Sequence, residues 1–153
     1  MKKLSFLLVA CLIVLGTYSC KTDDVVDIVT DPFADVIGFE MSWDGSPFIT
    51  TEFSHLKNEI TGNDVFIFEK NDENLVLTLN NLEPGNYDTG DLDAGGKLFE
   101  VTYGISEFLS GDLNIAESDE TNRTLKGDFE FQFFDLINSD TITISGGLFN
   151  ITY

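Results

Sequence analysis

His55 is the only histidine in a chain of 153 residues, and it lies in the polar stretch Ser54-His55-Leu56-Lys57-Asn58-Glu59. A histidine base needs a nucleophile or a second ligand beside it. No Gly-x-Ser-x-Gly, His-Glu-x-x-His or phosphate-cradling loop occurs, so His55 is expected in a surface loop. The two cysteines, Cys11 and Cys20, with a single histidine, exclude a disulfide framework and a Cys/His zinc site. Carboxylates are abundant, at 27 Asp and Glu. A glycosidase needs only two of them roughly 5–10 Å apart, so abundance singles out no pair. No catalytic residue is assigned, and the chain is expected not to be an enzyme. Asp88, Asp91 and Asp93, followed by Gly95-Gly96, make calcium the one candidate cofactor, because calcium favours oxygen-rich, flexible loops. The spacing lacks the acid alternation and closing Glu of an EF-hand, and a solvated acidic loop is the preferred reading. Aromatics offer a third chemistry. Trp43 beside Asp44-Gly45, Phe66 and Phe68 on one apolar run, and Phe134 next to Phe133 form a candidate ligand patch, set against a strand covered on both faces.

Cys20 carries a different chemistry. Met1-Lys2-Lys3 is followed by an apolar run, Leu4 to Gly16, broken only by Ser5. The run is shorter than the roughly 20 residues that a membrane-crossing helix needs, and it matches the apolar region of a secretory signal. Thr17-Tyr18-Ser19-Cys20 then resembles a lipobox, in which the cysteine sulfur is acylated after cleavage before it. Leu8-Val9-Ala10-Cys11 fits the consensus better but would leave too short an apolar region and a greasy stub. The sequence therefore predicts a signal peptide over 1–19, a lipid anchor on Cys20 and an acidic, flexible tether over 20–35. Lys21-Thr22-Asp23-Asp24 resembles the Lys-plus-acids signal of surface-exported lipoproteins. These features place the chain on the outer membrane of a Gram-negative bacterium and leave the face open.

A formal charge of -19 and a pI near 4.1 exclude nucleic acid as a partner, since eight Lys and Arg cannot form a phosphate-binding stripe. The expected partners are the membrane, through Cys20, and an unidentified protein or glycan.

The elements that must position these groups are strands. Ile37, Phe39, Met41 and Trp43 alternate with Gly38, Glu40 and Ser42, and Asp44-Gly45 supplies a hairpin turn before a return strand over 46–53, with Pro47 near its start. Val65 to Phe68 and Leu75, Leu77 and Leu79 form two more strands around a polar turn, Asn71-Asp72-Glu73-Asn74. Glu83-Pro84-Gly85-Asn86 reads as another turn. Phe99, Val101 and Tyr103 alternate, as do Leu113 and Ile115. Leu125, Phe129, Phe131 and Phe133 share one face opposite Lys126, Asp128, Glu130 and Gln132. After the Leu136–Asp140 turn, Ile142 and Ile144 occupy even positions while Phe149, Ile151 and Tyr153 occupy odd ones. A strand changes parity only through an extra residue, so a β-bulge is expected at Gly146-Gly147. About eight short antiparallel strands without a helix mean an all-β domain over 36–153, either a β-sandwich or a partly closed β-barrel.

Three stretches together resemble a family of small Bacteroidota lipoproteins that carry a domain of unknown function. They are the Phe39–Phe48 strand–turn–strand unit, the Pro84-Gly85-Asn86-Tyr87 turn, and the closing Asn122–Tyr153 hairpin. The resemblance implies an all-β extracytoplasmic domain and brings no activity or ligand with it. The resulting expectation is a lipid-anchored, noncatalytic β-domain that binds something or serves as an accessory subunit. The alternatives are a carbohydrate- or small-ligand-binding module using exposed aromatics, or an enzyme working through acids alone.

Overall fold

The computed structural model describes residues 31–70 and 73–153. Its strands are β1 (Gly38–Trp43), β2 (Ser46–Thr50), β3 (Ser54–Lys57), β4 (Asp64–Lys70) and β5 (Glu73–Leu79), then β6 (Gly85–Thr89), β7 (Leu98–Tyr103), β8 (Ser106–Asp119), β9 (Thr124–Asp135) and β10 (Asp140–Thr152). No helix occurs among the described residues. All ten join in one sheet in the order β2-β1-β10-β9-β8-β6-β7-β5-β4-β3, antiparallel except for the short parallel contact of β6 with β7.

The sheet curls onto itself. Phe39 on β1 and Phe68 on β4 stand seven places apart in the strand order, yet their rings lie 4.1 Å apart. Trp43 on β1 likewise meets Tyr103 on β7 at 5.0 Å. The concave face is thus a closed apolar core in which β1, β9 and β10 supply Phe39, Phe129, Phe131, Phe133 and Phe149 against Phe66, Phe68 and Phe99 from β4 and β7. The architecture is all-β, as expected, with ten strands rather than eight. Gly85 and Asn86, read as part of a turn, open β6, and the expected strand over 46–53 ends at Thr50, with β3 following separately over Ser54–Lys57. The end strands of the sheet are the short β2, with Pro47 in it, and the short β3, which limits the unpaired edge offered to other chains.

The bulge falls where the parity argument put it. Ile144 pairs with Phe131 and Gly147 with Phe129, so three steps on β10 match two on β9, and the same slip appears against β1. Gly146 takes φ 58, the left-handed conformation that glycine adopts without cost. Ile144 and Phe149 are consequently both buried.

Two segments depart from the expectation. Ile37 does not share the face of Phe39: it is 76% exposed, while Val36 is buried, because Gly38 turns the chain at φ 86. The last part of the expected tether is packed. Asp31 to Asp35 form a turn in which Phe33 is buried, Asn150 Nδ2 donates to the Phe33 carbonyl at 3.2 Å, and Asp31 pairs with Lys126 at 3.2 Å. Residues 1–30, with the expected signal peptide and the expected lipidation position Cys20, lie outside the described residues, as does the Asn71-Asp72 part of the predicted polar turn.

Candidate functional site

The aromatic patch is not a surface. Trp43, Phe66 and Phe68 are 2%, 1% and 1% exposed, because even positions of β4 face the core and leave Val65 and Ile67 outward and half-buried. Trp43 packs edge-on to Phe48 and Tyr103. Phe134 is half-buried on the opposite face of the sheet, across from Thr141 and Glu107, and meets none of the other three. The acidic loop is not a gathered site either. Asp88 is exposed at the end of β6, and Asp91 caps its own turn by accepting the Asp93 N–H at 3.0 Å. Among the described residues no group of three or more His, Cys, Asp or Glu side chains is arranged to hold a metal.

His55 is not in a loop. It lies on β3 opposite Phe66, and its side chain is 10% exposed. The segment Asn58 to Asn63 closes the β3–β4 connection tightly: Asn58 donates to the Asn63 carbonyl at 2.8 Å, and its Oδ1 accepts the Ile60 N–H at 3.0 Å. That closure sets Lys57 directly across from Asp64. Asp64, the one buried charged side chain among the described residues, then receives both neighbours. His55 Nε2 lies 2.9 Å from its Oδ1, and Lys57 Nζ donates to its Oδ2 at 3.2 Å. A carboxylate taken out of water requires such partners.

The second wall is the β8–β9 turn. Asp119 Oδ1 accepts the N–H groups of Thr121 and Asn122, both at 2.9 Å, and Asn122 Nδ2 donates to Asp119 Oδ2 at 2.6 Å. The turn ends with Arg123 at φ 55. Arg123 is anchored because its carbonyl accepts the Tyr153 N–H at 2.9 Å, and its guanidinium carbon lies 5.4 Å from the Tyr153 ring centre. Tyr153 in turn meets the His55 ring at 4.8 Å and Phe66 at 5.9 Å. Burial, reinforced by the charges of Asp64 and Glu120, holds the Tyr153 phenol protonated to higher pH than usual, while Arg123 opposes the shift.

The third wall is 80–83. Asn80 Oδ1 accepts the Leu98 N–H at 3.0 Å, and the Tyr87 hydroxyl sits 2.6 Å from Asn81 Oδ1 and 2.7 Å from the Glu83 carbonyl. Between these walls lies an open cleft of about 450 Å³, with His55, Lys57, Asp64, Arg123 and Tyr153 along it.

Its charges divide unevenly. Lys57 is answered by Asp64, and Lys97 lies 3.6 Å from Glu83. Among the described residues no carboxylate stands within ion-pair distance of Arg123. Sequence reasoning singled out His55 alone of this group. Asp64 had a readable signal, since Asn-Glu-Ile-Thr-Gly-Asn between Lys57 and Asp64 is turn-forming and would place the two opposite each other. Arg123 and Tyr153 carried none, because only the curl of the sheet brings them to β3.

Fold and site together define a small all-β domain with one face closed as a core and a polar cleft at the end of its strands. The family model described as a domain of unknown function, DUF6252, matches residues 38–151, and the chain belongs to that family. No curated protein and no solved structure matches it.

Proposed function

We propose that this chain is a lipid-anchored cell-envelope protein whose β-domain is a noncatalytic binding module, with the cleft between β3, the β8–β9 turn and Tyr153 as its ligand site. The observation that carries the binding half is Arg123. Among the described residues it has no carboxylate partner, in a strongly acidic chain, and it is held in place beside an open cleft. Concave sites with a few placed polar groups are where small molecules bind. His55 supports a noncatalytic reading, because Nε2 is engaged by Asp64 and the ring is packed between Phe66 and Tyr153. The anchoring half rests on the apolar run Leu4–Gly16 ahead of Cys20. That run also motivates placement on the outer membrane.

Two measurements test the two halves. Cells grown with a radiolabelled fatty acid should label the wild-type product and not Cys20→Ser; label on both, or on neither, removes the anchor. For the cleft, thermal melting against a panel of neutral and charged envelope components should give at least one compound that raises the midpoint of the wild type and not of a Lys57→Gln/Arg123→Gln variant. If every stabilising compound acts equally on both proteins, the cleft is not the site.

A further inference from the structure

The free donors of the cleft point to a ligand class. We infer that the cleft takes a small carboxylate-bearing ligand, gripped by the Arg123 guanidinium with the Lys57 ammonium as a second donor. This rests on the reading of the cleft as a ligand site.

A guanidinium lying over an aromatic ring uses its π face there and keeps its N–H donors in its own plane, where they match the two oxygens of a carboxylate. Arg123 is so placed over Tyr153, and its backbone is fixed on both sides by the Asp119–Asn122 turn and the Tyr153 N–H. His55 and Phe66 also meet the ring, edge-on, at 4.8 and 5.9 Å, which fixes it under the guanidinium. Lys57 is 62% exposed on its side chain, with one carboxylate oxygen as partner, so the ammonium retains donors for the cleft. Of the remaining polar lining groups, Glu83 and Glu120 are exposed carboxylates, and the neutral ones are committed inward. Asn80 and Asn81 hold the Leu98 N–H and the Tyr87 hydroxyl, and Asp64 is saturated by His55 and Lys57.

Net charge narrows the class further. A chain at -19 repels polyanions, whereas for a single carboxylate the distant charges are screened beyond about 8 Å at physiological salt, leaving Arg123 and Lys57 as the local attraction against Glu83 and Glu120. Glu120, on the same turn as Arg123, adds to the bias against a second negative charge. Two sources supply such a group, a uronic acid and a free peptide or amino-acid carboxyl.

The test is ¹⁵N–¹H NMR on the full chain in detergent, following the Arg123 Nε–H and the Tyr153 amide. The probes are D-glucuronate and N-acetylalanine, each against its neutral counterpart, D-glucose and N-acetylalanine amide. At least one carboxylate should shift the Arg123 signal saturably at millimolar concentration while its neutral counterpart does not, and the one that does identifies the source. Arg123→Gln should abolish the Tyr153 response, and Arg123→Lys should weaken it several-fold, with the rest of the spectrum unchanged. Equal shifts from acid and neutral forms, no shift from either acid, or an undiminished response in Arg123→Gln would each overturn the inference. A compound that protects the wild type alone in the melting panel while both acids fail here would leave the cleft as a site and remove only its preference for carboxylate.

Discussion

Gly127 and Phe149 stand directly opposite each other on β9 and β10, and the Phe149 ring lies over the space where a side chain at 127 would begin. The pairing recurs. Gly147 faces Phe129, with a methyl at 147 falling 2.7 Å from that ring, and Gly111 on β8 faces Phe131 at a similar 2.7 Å. Each glycine vacates its site on the core face so that the cross-strand phenylalanine can lie down across the sheet. This is how so many rings pack into one concave face.

Gly127→Ala should therefore destabilise the domain although it adds one carbon. The new methyl would meet the Asn114 carbonyl as well as the ring, so neither side chain movement alone relieves it. Overpacking of this kind costs about 1–3 kcal/mol. Gly90→Ala is the control, since its nearest neighbour is a Leu98 methyl at 3.5 Å. Urea titration should lower the midpoint for the first and leave the second near wild type.

Asp64, with His55 and Lys57 on its two oxygens, invites a graded test. Removing a buried hydrogen-bonded carboxylate leaves two donors seeking partners, so Asp64→Ala should cost about 2–3 kcal/mol. Lys57→Gln removes an exposed partner and should cost under about 1 kcal/mol, because solvent screens that half of the arrangement. His55→Ala should resemble Asp64→Ala, since it also deletes ring packing against Phe66 and Tyr153. Chemical denaturation of the three variants checks the order, and a Lys57 effect as large as that of Asp64 would contradict it.

The two long hairpins share one turn design that gives stability a pH dependence. Asp119 and Asn122 clasp the β8–β9 turn; Asp135 and Asn138 clasp the β9–β10 turn with the same bonds, at 2.6 and 2.7 Å for the amide-to-carboxylate contact. Backbone N–H donation from Asn122 and Asn138, helped by their side-chain amides, holds both carboxyls below the usual carboxylate range. With the folded values depressed, the unfolded chain binds protons first. The contribution is full above the unfolded value, near pH 4, and is lost as pH falls through the lower folded values. In Asp119→Ala/Asp135→Ala the urea midpoint should be lower than wild type at neutral pH, and the gap should narrow on acidification.

How much of this was legible follows the kind of signal each element leaves. β9 and β10 announce themselves because Phe129, Phe131 and Phe133, and Phe149 and Ile151, alternate over long runs that only a one-sided sheet explains. β6 left almost none. It has a single buried inward residue, Tyr87, and opens on Pro84-Gly85, whose turn chemistry is real, with Gly85 at φ 137, but coincides with the start of a strand. The phenylalanine pair on β4 was ambiguous because every position from Val65 to Phe68 is apolar, and periodicity is silent there. The cleft was the least legible part. Its members come from 55–64, 80–83, 120–123 and 153, and their meeting depends on the curl of the sheet.

The bulge at Gly146 offers the sharpest test of register in β10. Ile144 and Phe149 are both buried only because one extra residue lies between them, against β9 and β1 alike. Deleting Gly146 restores strict alternation and turns either Ile142 and Ile144 or Phe149 and Ile151 out of the core. Each outcome exposes two large apolar side chains worth about 1.5–3 kcal/mol apiece, a loss comparable with the lower end of a domain's roughly 5–15 kcal/mol stability. The deletion should yield insoluble or unfolded protein. Substitution probes the conformation without changing the count. At φ 58 with nothing within 4 Å, asparagine fits the left-handed region and should cost under about 1 kcal/mol, whereas valine, strained there, should cost about 1–3 kcal/mol. Circular dichroism for folding and urea midpoints for the two substitutions decide the matter: a folded, native-like deletion variant would mean that register in β10 is set by something other than the extra residue.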